Sequence, residues 1–129
     1  MKSNSTKVNQ REIQRCLSEL GFPFVIAECR GCDVLAGQHT PAGLWIVGNE
    51  LEASAKWAIR NVQRDLANGC SGVITICTNF RVLRDVSNKF ERDLPEQLHD
   101  QVGLMTLSSL RLLLPAKCSA PDPATQAEV

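Results

Sequence analysis

Two short apolar runs, Leu44-Trp-Ile-Val47 and Val73-Ile-Thr-Ile-Cys77, flank a repeat of Ala55, Ile59, Val62 and Leu66 that ends at Asn68-Gly69. The repeat spacing traces one face of a helix, and Asn-Gly is a left-handed helix stop. Strand, helix and strand in that order leave few folds open. The helix must cross over a sheet, and the second run, apolar almost throughout, belongs in that sheet's interior.

The flanking residues extend the pattern. Ile13, Cys16, Leu17 and Leu20 form a helical stripe that Gly21 can stop. Phe24–Ala27 is a short strand. Asp33-Val-Leu-Ala36 opens a second that Gly37 is expected to end, and residues 38–43, with Pro41 and Gly43, form a turn. The third strand, Leu44–Val47, runs on into Gly48-Asn-Glu-Leu-Glu52. Val82, Val86 and Phe90 mark a helix over 81–93, Val102–Leu107 is a last strand, and 110–114 has no clear period. The order α-β-β-β-α-β-α-β predicts a three-layer or mixed α/β domain. The body spans 10–114, and residues 1–9 and 115–129 are expected to be disordered, being polar or Pro/Ala-rich without periodicity. No internal repeat is visible.

A chain of 129 residues has room for one domain, and 43% apolar residues suffice for a core. Lys and Arg number 14 against 14 Asp and Glu, so any contact with a polyanion must come from a local patch. No apolar run approaches the roughly 20 residues that span a bilayer, so no membrane contact is expected. The polar N-terminus lacks the apolar centre of a secretory signal, and a cytoplasmic location is expected. In that reducing compartment Cys16, Cys70, Cys77 and Cys118 read as small core residues or bystanders, without a disulfide framework.

The chemistry gathers where the third strand ends. Glu50 and Glu52, two apart, face the same side of a strand. Desolvated together they repel, unless a cation sits between them. Lys56 follows Glu52 by four residues, and Asp33 opens the neighbouring strand. Carboxylates of this kind favour Mg²⁺ or Mn²⁺, whose bound water can become a nucleophile, while a lysine can neutralise charge on a phosphate. The plainer alternative is a solvated strand end and an acidic helix start, with Lys56 as an ordinary partner of Glu52.

Asp33 followed by Glu50-Leu-Glu52 on a strand that leads into a helix resembles the PD-(D/E)xK nuclease superfamily. The likeness covers most of the body: a leading helix, a three-strand meander with the acids, a crossover helix and a further strand. It implies a restriction-endonuclease-like α/β/α core with a mixed sheet, and Mg²⁺- or Mn²⁺-dependent hydrolysis of DNA. Asp33 and Glu50 would bind the metal, Glu52 would bind it or orient water, and Lys56 would assist the nucleophile. Two departures stand out. Cys32 takes the place of the proline before the Asp, and Glu52 takes the place of the Lys, which is displaced to Lys56 on the following helix. The Glu-x-Glu-x-Ser-x-Lys string also resembles domains associated with mobile elements and DNA-translocating ATPases. A catalytically inactive DNA-binding or regulatory module of the same fold is the alternative this leaves.

Lys56, Arg60 and Gln63, with Arg64 beside them, form a stripe that can hold a DNA backbone, or simply the charged outer face of an amphipathic helix. Trp57 is expected to pack on the sheet, and Glu19 to lie on the surface, though it could add an acid to the metal. Cys29-Arg-Gly-Cys32 is a single CxxC without a second pair, weak grounds for a zinc or thiol protein. His39 and His99 read as surface loop residues. A body this small leaves little area for base readout, so a homodimer or a larger DNA-processing partner would have to help.

Overall fold

The two-residue turn Pro41-Ala42 sets the start of the sheet. Thr40 donates its hydroxyl to the Gly43 carbonyl at 2.8 Å, and Gly43 takes a left-handed φ of 128° that its missing side chain permits. The structure, a computed structural model, describes residues 4–29 and 31–113. Along them run α1 (Asn4–Glu19), β1 (Phe24–Ala27), β2 (Val34–Thr40), β3 (Gly43–Glu52), α2 (Ala58–Ala67), β4 (Gly72–Cys77), α3 (Phe80–Asp93), a 3-10 helix (Glu96–Gln101), β5 (Val102–Thr106) and α4 (Leu107–Leu112).

The strands form one sheet in the order β1-β2-β3-β4-β5. β1, β2 and β3 are an antiparallel meander, while β4 and β5 run parallel to β3 through the α2 and α3 crossovers. The chain is thus α/β with a mixed sheet, in the element order expected, and β4 lies inside the sheet as its apolar run requires.

Two cores separate the layers. Ile13, Cys16 and Leu17 of α1 and Leu107 and Leu110 of α4 pack on Val34, Ala36 and Ile76 of the sheet. On the opposite face Ala58 and Val62 of α2 and Val82, Val86 and Phe90 of α3 pack on Val73 and Cys77. β4 supplies both cores because its successive side chains alternate between faces. Beyond β3 the α2–α3 layer stops, leaving Phe24, Ile26 and Leu44 exposed. Among the described residues, no helix is long and apolar enough to cross a membrane.

Some boundaries differ from the sequence reading. α1 starts at Asn4, so a helix occupies part of the stretch expected to be disordered. Gly37 does not end β2, which continues to Thr40; Gly37 is buried, and a Cβ there would stand 3.3 Å from the Trp45 carbonyl of β3. His39 therefore lies on a strand, edge-on to Phe24, not in a loop. The last strand ends at Thr106, which caps α4 by accepting from Ser109 N, and the run without a clear period holds only the end of that helix. Residues 1–3, Leu114, Cys118 and the rest of the C-terminal tail lie outside the described residues.

Candidate functional site

The carboxyl ends of β3 and β4 point the same way, and α2 covers them on one side. This edge of a parallel pair is where α/β sheets commonly hold ligands. Gly48, Glu50 and Glu52 alternate toward α2, and both acids are buried, 3% and 6% exposed. Their shared face is as the strand period predicts.

Asp65, fully buried, meets Glu50 from α2. The inward residues of that helix are Ala58, Val62 and Asp65, so an acid occupies a position where the period calls for an apolar residue. Arg64 serves both acids: Nη2 donates to Glu50 Oε2 at 3.0 Å, and Nε donates to Asp65 Oδ1 at 3.2 Å. The guanidinium crosses Gly31, where a Cβ would lie 3.3 Å from Nε and where φ is 83°. One cation, its side chain 38% exposed, thus faces two buried carboxylates. Burial first, then the hydrogen bond and charge of Asp65, push the Glu50 carboxyl up to about 9, against the pull of Arg64. Burial beside Asp65 thus favours the protonated form of Glu50.

Two cysteines complete the cluster. Cys32 and Cys70 place their sulfurs 3.9 Å apart, well beyond a disulfide bond. Cys32 Sγ and one carboxylate oxygen each of Glu50 and Asp65 lie within 4.8 Å of one another. This buried group can hold a metal ion. Gly48 is what makes the space: a Cβ there would stand 2.9 Å from Cys32 Sγ, 3.0 Å from Asp65 Oδ2 and 3.2 Å from Cys70 Sγ. Burial and the charge of Asp65 hold the Cys32 thiol well above its usual range. Cys29 does not join its CxxC partner here; it accepts the Cys32 N–H on its carbonyl and closes a turn.

The residues singled out from the sequence are only partly brought together. Asp33 precedes β2, and extending the β2–β3 register by one residue sets it across from Glu50. Its Oδ2 accepts the Leu51 N–H at 2.8 Å, which ties it to the strand carrying the acids. Glu52 Oε2 accepts from Asn61 Nδ2 at 2.6 Å, at the start of α2. Burial and then Glu52 push its neighbour in register, Cys77, up to about 11.

Lys56 is not on a helix. Residues 53–57 form turns, pinned by Lys89 of α3 through the Ala55 and Lys56 carbonyls, and α2 begins only at Ala58. Helical i,i+4 geometry between Glu52 and Lys56 is therefore lost. Trp57 does not pack on the sheet either: it is 49% exposed, with Lys56 Nζ 5.0 Å and the Arg60 guanidinium 5.3 Å from its ring centre. Arg60 and Gln63 are exposed, whereas Arg64 turns inward from the stripe. Glu19 pairs with Arg15 at 3.1 Å on α1.

Sequence reasoning missed Asp65, read Cys70 as a small core residue or bystander, and read Cys32 only as half of a CxxC and as the residue in place of the proline before Asp33. The available signals were an acid on the buried stripe of α2 and a glycine, Gly48, inside a strand, where close approach is a usual reason. Compared with family models, with curated proteins and with solved structures, the chain matches none.

Proposed function

We propose that this chain is a metal-dependent nuclease domain that hydrolyses DNA phosphodiester bonds at the carboxyl end of β3, on a core of restriction-endonuclease type. The observation that carries the reading is the burial of Glu50 and Glu52 on one face of β3, with the Asp33 carboxylate bound to the Leu51 N–H between them. Folding accepts such a concentration of acid only with protons or cations to balance it. The oxygen donors suit a hard cation, and Asp33, Glu50 and Glu52 are the residues that would hold it. Mg²⁺ or Mn²⁺ there would supply Lewis acidity and an activated water.

The remaining roles belong to the chain itself. Glu52, oriented by Asn61, directs the attacking water. Lys56, exposed in the turn after β3, neutralises charge gathering on the phosphate. Arg60 and Gln63, on the outer face of α2, hold the DNA backbone, and Arg64 bridges the carboxylates of Glu50 and Asp65. Specificity comes from a second copy or a larger DNA-processing partner.

A second reading has its own support. Arg64 already occupies Glu50, and the Lys56 amine rests over Trp57, which suits a DNA-binding or regulatory module without catalysis. Incubating plasmid DNA with the protein and Mn²⁺ separates the two. Nicking that disappears in Asp33→Ala and Glu50→Ala supports the nuclease. Nicking that survives both substitutions sinks it, and DNA retardation without nicking favours the binding module.

A further inference from the structure

We propose that Cys32, Cys70 and Asp65 form a second metal site, selective for a thiophilic divalent cation of the zinc class, beneath Gly48. It does not rest on the nuclease reading. Two sulfurs and an oxygen surround one point over Gly48, at 2.9, 3.2 and 3.0 Å. The sulfurs are 3.9 Å apart. An ion at about 2.3 Å from each would subtend an S–M–S angle of about 116°, close to tetrahedral, so the thiols need not move apart or together.

The oxygen donor supplies the second, independent sign. Asp65 Oδ2 is buried and has no hydrogen-bond partner, although Oδ1 is satisfied by Arg64. A buried acceptor oxygen without a donor is costly in a protein interior. Here it is aimed at the two sulfurs. Glu50 stands within 4.8 Å of Cys32 Sγ and the Asp65 carboxylate, on the fourth side.

Charge balance favours a divalent ion. Two thiolates and Asp65 carry three negative charges, which a divalent cation and Arg64 cancel. Soft sulfur ligands select zinc-like ions over Mg²⁺. The ligands come from the turn before β2, the last turn of α2 and the loop before β4, so the ion would tie those three segments together.

The test uses the full chain purified under reducing conditions. Elemental analysis should find one zinc per chain. After removal by a chelator, Co²⁺ should restore tetrahedral visible bands and a thiolate-to-cobalt charge-transfer band. Cys32→Ser, Cys70→Ser and Asp65→Asn should each weaken zinc by more than the roughly 10- to 100-fold typical of outer-shell partners. Asp33→Ala should keep the zinc, even where it abolishes DNA cutting. Circular dichroism checks that each variant is folded. A folded, reduced protein without the thiolate–cobalt band overturns the proposal, as does a band that survives both cysteine substitutions. Recovery of Cys32 and Cys70 as a disulfide overturns it too. Loss of zinc in Cys70→Ser with Mn²⁺-dependent cutting retained supports it, since only the zinc site has then been removed.

Discussion

Removing the ionisable oxygen of Glu50 should make metal-free stability insensitive to pH. The folded carboxyl titrates at about 9 because burial and Asp65 oppose its charge, against an ordinary value of 4.5. A raised folded value means that folding retains a proton the unfolded chain releases. The stabilisation is complete below the unfolded value and is lost as pH rises through the folded one. Between pH 6 and 8 one retained proton corresponds to one tenfold change in the folding equilibrium per pH unit, hence on the order of 3 kcal/mol over the interval. Against a total of about 5–15 kcal/mol for a small domain, that is readily measured. Other shifted groups stay clear of the window: Arg111 holds Glu12 below the usual carboxylate range, and Cys32 and Cys77 are displaced upward. The assay is urea unfolding followed by circular dichroism in excess chelator at pH 6, 7 and 8. Glu50→Gln preserves the shape, keeps an oxygen for Arg64 and offers an amide N–H to Asp65, so its stability should be flat across the window. A flat native profile, or an equal slope in Glu50→Gln, would refute the proton assignment.

Three further outcomes are expected. Gly48→Ala forces a Cβ to within 2.9 Å of Cys32 Sγ and 3.0 Å of Asp65 Oδ2; overpacking should cost about 1–3 kcal/mol by urea midpoint, and metal uptake should fall with it. Asn61→Ala withdraws the 2.6 Å donor from buried Glu52; a loss of about 1.5–3 kcal/mol is expected, smaller at a pH low enough to protonate the acid. Lys56→Ala, at an exposed position, should shift stability by less than about 0.5 kcal/mol yet slow Mn²⁺-dependent nicking by about 10²–10⁴-fold. Unchanged nicking would remove Lys56 from the chemistry.

What the sequence revealed follows from periodicity. Strand alternation put Glu50 and Glu52 on one face, and the strand–helix–strand order gave the crossover, because both depend on local spacing. The helix phase was harder. Ala55, Ile59, Val62 and Leu66 looked like the stripe, whereas the fully inward set is Ala58, Val62 and Asp65. The two sets differ by less than one residue in rotation, enough to hide Asp65. The start of α2 was misplaced because Ala53-Ser54-Ala55 has ordinary helix formers, while Lys89, a tertiary contact, holds that stretch in turns. Cys70 was illegible for the same kind of reason: its distance to Cys32 is set by the packing of α2 on the sheet, 38 residues away in the chain.

The unlike connections of β3 also make its acids a clock for folding. A two-residue turn joins it to β2, whereas a whole helix joins it to β4. Hairpins of the first kind close within about 1–10 μs. Glu50 and Glu52 then stand on a formed strand with their α2 side still in water. They lose that water only when α2 docks, so proton retention by Glu50 marks that moment. Stopped-flow measurements at pH 6 and 8 would time it. If α2 is docked in the rate-limiting step, raising the pH slows refolding; if it docks afterwards, raising the pH speeds unfolding instead.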